Sequence, residues 1–393
     1  MALRLGALGL ISAIVLLGQD PGMERISLAS ARLRDAGARM SQDWEVPRKP
    51  LTDFHLALRD WIESRLPKTK AELDARFPLL YPSLITDLAR AGLFRAHDTK
   101  YGVVSSLSLS RPPEYPGALL VIAGAALPCG TDQSVFLYDW NDGNPVRRLE
   151  SIPDAPEFGQ PAAARFSDPD GQGSRLAVLT RFAVTCVSCW NGIGYTLFRL
   201  GPGTAPATIL QSGDRGIYYC HDWNIRLKPD DFLLELPGRS IDVGILIRTH
   251  VLHYRVGKDG AVRTDPVALQ PQDFVDEWLT RPWDEMASRS SASNLEQLEK
   301  WHGVLHSDIV LGEFQFVQPC TEKPGQWQIA VDLDWVAGKE LPEPLPVYFL
   351  IRRKENYRFQ MTGISFDRED GCPGESSPSE EKPTLFGSEP GHP

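Results

Sequence analysis

Six cysteines, two histidine pairs and two pairs of closely spaced carboxylates are the side chains through which this chain could do chemistry. The cysteines are Cys129, Cys186, Cys189, Cys220, Cys320 and Cys372. Cys186-Val187-Ser188-Cys189 has the spacing of a redox dithiol or of half a metal site. A redox dithiol needs a helix N-terminus to lower its thiol pKa. Here the pair lies on an apparent strand, just before the turn signal Asn191-Gly192. Residues three apart on a strand point to opposite faces. Chelation by both would need a local bend, with Cys220 and His221 as the remaining ligands. Disulfides are the preferred reading of all six, with zinc and redox chemistry as alternatives. Cys320 and Cys372 are the only two in the last third of the chain and are expected to pair. The other four would then form two bridges among themselves.

His302 and His306 stand one helical turn apart, the geometry two metal ligands need. Gly303 occupies the place of a metalloprotease glutamate and marks a helix end, so helix-end histidines with structural partners are expected. His250 and His253 fall on opposite faces of a strand. Asp332 and Asp334 share a strand face and would suit acid–base work or a plain solvated face. No nucleophile elbow, phosphate loop or dinucleotide fingerprint is present. No metal and no cofactor is expected.

Asp168-Pro169-Asp170-Gly171-Gln172-Gly173 resembles the acidic, glycine-rich calcium loops of FG-GAP propeller repeats. The resemblance implies a cation held by Asp168 and Asp170. Gln172 stands where a third acidic ligand would be. Aspartate and glycine are equally what an ordinary turn requires.

The elements that must position these groups follow from periodicity. Arg4 and the uncharged run Leu5–Gly18 have the form of a signal peptide over residues 1–18. The run is short for a permanent span, so no transmembrane segment is expected after its removal, and a secreted or periplasmic location follows. Residues 19–50 read as a linker or loosely attached helix. Residues 51–95 read as a helical layer. Phe54, Leu58, Trp61, Ile62 and Leu66 form one helix face, Thr69 with Glu72 caps a short second helix, and Ser83 to Leu93 forms a third.

Residues 116–268 read as a repeated antiparallel β region, propeller-like or a sandwich. Three hairpins carry aromatic anchors at Tyr138, Phe198 and Tyr254, spaced 60 and 56 residues apart. Residues 271–366 read as an α+β domain, with helices ahead of four strands. The clearest strand alternates Trp327, Ile329, Val331, Leu333 and Trp335 with a largely polar face. The order resembles the cone-shaped folds of the nuclear-transport-factor-2 type. Residues 367–393 read as a disordered acidic tail. The fold class is therefore mixed: a helical N-terminal layer, a repeated β region and a C-terminal α+β domain.

The net charge of −10 excludes a general nucleic-acid binder. An exported, non-catalytic binding or assembly module, meeting a protein or a glycan, is the expected function. An extracytoplasmic hydrolase with its site between the β region and the C-terminal domain is the alternative.

Overall fold

The computed structural model describes residues 20–40, 46–128, 130–141, 143–152, 160–182, 191–212, 217–219, 223–240, 248–307, 309–336 and 339–372. The expected signal peptide, residues 1–18, lies outside them. Among the described residues no helix is long and apolar enough to cross a membrane.

The stretch read as a linker or loosely attached helix holds the first helix. Helix α1, Pro21–Gly37, opens on Asp20, whose carboxylate accepts the Gly22 amide at 3.0 Å. It buries Ile26, Ala29, Ser30, Leu33 and Ala36. Only two of these are strongly apolar. The face is made of small residues at helical spacing, which is why hydrophobic periodicity alone misses it.

Helix α2, Arg48–Arg65, buries Phe54, Leu58, Trp61 and Ile62 as expected. It stops at Leu66, held extended by the following Pro67. Helix α3, Lys70–Arg90, is capped by Thr69, whose hydroxyl accepts the Glu72 amide at 3.1 Å. It runs unbroken through Pro78 and Pro82, where the sequence suggests two helices. Leu73, Leu80, Leu84 and Leu88 keep one buried face through the prolines, and that packing outweighs their lost hydrogen bonds.

Four antiparallel four-stranded meanders follow. The first comprises β1 (Val104–Ser110), β2 (Ala118–Leu127), β3 (Gly130–Asn141) and β4 (Asn144–Ser151). The second comprises β5 (Gln160–Phe166), β6 (Arg175–Phe182), β7 (Asn191–Leu200) and β8 (Ala207–Gln211). Short β9, Ile217–Tyr219, pairs with β7 and with the third meander, joining the two into a nine-stranded sheet. That third meander is β10 (Asn224–Lys228), β11 (Asp231–Ser240), β12 (Arg248–Val256) and β13 (Ala261–Arg263). Asn191-Gly192, a turn signal in the sequence, begins strand β7 and pairs with Tyr218 and Tyr219.

The aromatic anchors hold equivalent places. Tyr138, Phe198 and Tyr254 each lie on the third strand of a meander, just ahead of the hairpin to the fourth. In the first two meanders the pairing slips at the same step, between Leu137 and Tyr138 and between Leu197 and Phe198. The ring of each anchor faces the layer before it. Tyr138 packs with the helices, Phe198 with the first meander, and Tyr254 with the second.

The layers therefore stack. The helices share a core with Leu119, Val121, Phe136 and Tyr138 on one face of the first meander. Its other face, through Leu120, Val135 and Leu137, meets Ala177 and Leu179 of the second. Leu176, Val178 and Leu197 then meet Phe232, Leu234 and Leu252 of the third. The far face of the third meander, at Leu233 and Val251, packs against Leu269. Among the described residues neither of these sheets closes on itself.

Helices α4 (Pro271–Thr280), α5 (Trp283–Met286) and α6 (Leu295–Ser307) lead to the fourth meander: β14 (Ile309–Pro319), β15 (Gln326–Val336), β16 (Lys339–Lys354) and β17 (Arg358–Ser365). Phe274, Trp278 and Leu298 pack on Ile329, Val331 and Phe349. The opposite face of β15 is not solvated as expected, for Gln328 and Ala330 are fully buried. Beside them Gln318 accepts from Arg368 at 3.2 Å, and the Arg368 guanidinium lies 5.0 Å from the Phe316 ring. Residues up to 372 are thus tied to the sheet, although the sequence reading places the tail from 367. Thr321 donates to Gly371, Lys323 pairs with Glu369, and Cys320 is bonded to Cys372.

Candidate functional sites

The Cys320–Cys372 pair is present as expected, with both residues buried. Cys129, Cys186, Cys189 and Cys220 lie outside the described residues.

At the Asp168–Gly173 loop, Asp170 Oδ1 accepts the amides of Gln172 and Ser174, each at 2.8 Å. The Asp170 amide and carbonyl are also used, by Ser174 and Gly173. That carboxylate is folding its own turn. Asp168 is exposed, and among the described residues no group of three or more potential ligands gathers for a metal.

Two of the histidines, His302 and His253, are likewise engaged. His302 is buried with Nε2 at 2.9 Å from the Arg281 carbonyl, and it packs edge-on to Trp278 at 4.9 Å. The side chains of His306 and Asp334 lie outside the described residues, and Asp332 is half-buried on β15. His250 and His253 fall on opposite faces of β12, as alternation requires.

Another histidine, His55, was not singled out by sequence. His55 of α2 and Asp132 of β3 are both buried, with His55 Nε2 2.8 Å from Asp132 Oδ2. Among the described residues His55 Nδ1 and Asp132 Oδ1 have no further partner. The pair is sealed between helices and sheet, so it can hold the layers in register but cannot meet a substrate.

Two clusters lie where the third meander meets the C-terminal elements. In the first, α4 buries Asp273, Asp276 and Glu277. Glu277 accepts from Arg263 at 2.7 Å and from Arg281 at 3.3 Å, and Arg263 also donates to the Val251 carbonyl. His253 sits 2.8 Å from the Asp231 carboxylate and 2.7 Å from the Asp265 carbonyl. The Asp265 carboxylate bridges Arg289 at 3.2 Å and Arg358 at 3.3 Å. Ion pairs and hydrogen bonds to main-chain carbonyls together reach from β11 and β12 to the start of β17. Burial makes the Glu277 pairs depend on their partners, because an unpaired charge there has no water to solvate it.

The second cluster is open to solvent. A depression of about 500 Å³ is lined by Pro266, Arg353, Lys354, Glu355, Asn356 and Tyr357. Its floor is the β16–β17 turn, where Asn356 and Tyr357 have φ of 58° and 54°. Asparagine adopts this left-handed region readily, whereas an aromatic residue does so at a cost. The Arg353 guanidinium lies 4.6 Å from the Tyr357 ring centre. The only sequence signal was the basic run Arg352-Arg353-Lys354 in an acidic chain. Such runs are common at hairpin ends, so it did not stand out.

No protein-family model and no curated protein matches the chain. Among solved structures it is similar to the BT0996–RGII complex, at 10% identity and a TM-score of 0.23, covering 71% of this chain and 91% of the other. A protein described as a glycoside hydrolase gives the same identity, TM-score and coverage. The β-propeller domain of the Trilobed protease from Pyrococcus furiosus is similar at 10% identity and a TM-score of 0.20, covering 65% and 69%. Likenesses at this level carry no argument about fold or function.

Proposed function

We propose that this protein is a non-catalytic binding or assembly module that works outside the cytoplasm. In this reading the stacked meanders form an open, propeller-like arc. The helical layer covers one end, and the α+β segment 271–366 stands at the other as a separate domain. The observation that carries it is how the described side chains are used. Asp170 and His302, which suggested chemistry, are committed to protein partners, Asp170 to its own turn and His302 to the Arg281 carbonyl, and the buried Glu277 is held by two arginines. Arg353, Lys354 and Asn356 instead line an open depression. The Cys320–Cys372 bond fits an oxidising compartment.

The hydrolase alternative has one observation in its favour. The carboxylates of α4 gather between the third meander and the C-terminal sheet, where that alternative places its site. The two readings part in one experiment. The full chain is incubated with panels of oligosaccharides and peptides, and retention and product release are both measured. Retention without turnover supports the binding module. Product release that Glu277→Gln abolishes would overturn it.

A further inference from the structure

The β16–β17 turn brings together a concave surface, a strained backbone and positive charge, and together they specify a ligand. Arg353, Lys354 and Glu355 leave the depression with a positive excess, on a chain whose net charge is −10. Among the described residues neither Arg353 nor Lys354 forms an ion pair. Arg358 stands nearby, already drawn to Asp265 at 3.3 Å. An anion is the complement of such a surface.

The geometry of Arg353 narrows the anion. Its main-chain amide donates to the Gly325 carbonyl at 2.7 Å, and its guanidinium carbon lies 4.6 Å from the Tyr357 ring centre. A guanidinium held beside a ring still offers paired N–H donors to a two-oxygen acceptor. A carboxylate matches that fork. Lys354 adds a point charge, and the Asn356 amide supplies both a donor and an acceptor for neighbouring hydroxyls. Pro266 and the Tyr357 ring are the apolar parts of the lining, too little to hold a lipid chain.

An acidic peptide would carry the same charge, and one way for it to gain affinity is to add a strand at a sheet edge. Here the free edge of β17 is taken. Ser291 donates its amide to Met361 at 2.8 Å, Asn294 donates to Thr362 at 2.7 Å, and Gln360 donates to Ser290 at 3.2 Å.

We propose that this depression is a subsite for a carboxylated sugar, a uronate residue of an acidic glycan. The inference rests on the binding-module reading and names its ligand class. The strained Asn356–Tyr357 turn holds the ring that aims Arg353, and Lys354 and Asn356 read the groups around the carboxylate.

The test is calorimetric titration of the full chain with a uronate hexasaccharide. The same oligosaccharide with its carboxyls reduced and a glutamate hexapeptide are the comparisons. The uronate should bind, its affinity should fall as chloride is raised, and the reduced sugar should bind about tenfold more weakly or worse. Arg353→Gln with Lys354→Gln should weaken the uronate by about tenfold or more while leaving the unfolding midpoint in place, since both side chains are exposed. Failure of the uronate to bind, equal binding of the reduced sugar or the peptide, or unchanged affinity in the double variant would each overturn the proposal. A neutral glycan or protein partner retained equally by the double variant would overturn this subsite and leave the binding module standing. Turnover of any ligand would remove the module itself.

Discussion

Arg199 of the second meander donates from Nη2 to the carbonyl of Gly257 at 2.7 Å, reaching into the β12–β13 hairpin of the third. Arg148 of the first meander does the same to Gly201, at the β7–β8 hairpin of the second. Both acceptor glycines stand three residues after an aromatic anchor, Phe198 or Tyr254. Each meander thus grips the next by an arginine on a hairpin carbonyl. The two grips differ in burial. Arg148 is buried and the Arg199 bond is exposed. Arg148→Ala should lower unfolding stability by about 2 kcal/mol, because a charged hydrogen bond and the packing of its stem are lost together. Arg199→Ala should cost under about 1 kcal/mol. Equal losses in urea denaturation would show that burial does not set the strength of these contacts.

The His55–Asp132 pair spans 77 positions and joins α2 to β3. Asp132→Ala leaves His55 buried without its partner and should cost about 3–5 kcal/mol. His55→Leu made together with Asp132→Ala should recover much of that loss, since an apolar side chain needs no partner there. A double-mutant cycle reads the difference, and additive losses would mean the two residues act separately.

Gln328 is fully buried, and among the described residues neither its amide nitrogen nor its oxygen has a partner. Gln328→Met keeps the side-chain length and removes the stranded polar atoms. Its unfolding midpoint should rise, by about 1 kcal/mol in stability. A loss of stability would show that the amide is satisfied in solution.

Burial, with the Asp139 carboxylate accepting from its hydroxyl at 2.9 Å, pushes the Tyr115 pKa from 10.0 up to about 12. A raised folded-state pKa means the folded chain keeps a proton that the unfolded chain releases. The stability linked to Tyr115 is therefore complete below pH 10 and falls away between about pH 10 and 12. Because the ring is only half-buried, the contribution is about 1 kcal/mol after screening. Tyr138 has its pKa raised as well, first by burial and then by Glu63, and adds to the same alkaline limb. Tyr115→Phe should flatten that limb in denaturation curves taken from pH 9 to 12, and an unchanged slope would count against the assignment.

Cys320 and Cys372 close a loop of 52 positions. Replacing both by serine should cost about 4 kcal/mol in the chain-entropy account. Peptide mapping without reduction should recover the two cysteines in one linked fragment. Two free thiols would remove both the bond and its support for an oxidising compartment.

What sequence could show was the local part of this fold. The hairpins after Tyr138, Phe198 and Tyr254 were legible because strand alternation and turn residues act over a few positions. The α2 face was legible because Phe54, Leu58, Trp61 and Ile62 are large and regularly spaced. Helix α1 was legible only as one of two alternatives because Ala29, Ser30 and Ala36 fill its face with small side chains. The interruption of α3 was wrongly expected at Pro78, where tertiary burial of Leu80 and Leu84 prevails over local propensity. The long-range pairings, His55 with Asp132 and Asp265 with Arg358, leave no mark on periodicity. The same holds for the depression at Tyr357. Its backbone is set by how β16 and β17 pair, and neither the strain nor the concavity is written in residue type.

The face-to-face order of the layers also has a directional meaning. The helices precede the first meander in the chain, and each meander precedes the one it covers. A chain emerging from its N-terminus can therefore complete one layer at a time on a surface already built. At every stage a single bare apolar face awaits the next hairpins, instead of two. Removing α1–α3 would break that sequence at its origin and leave Leu119, Val121 and Phe136 uncovered from the first strand onward.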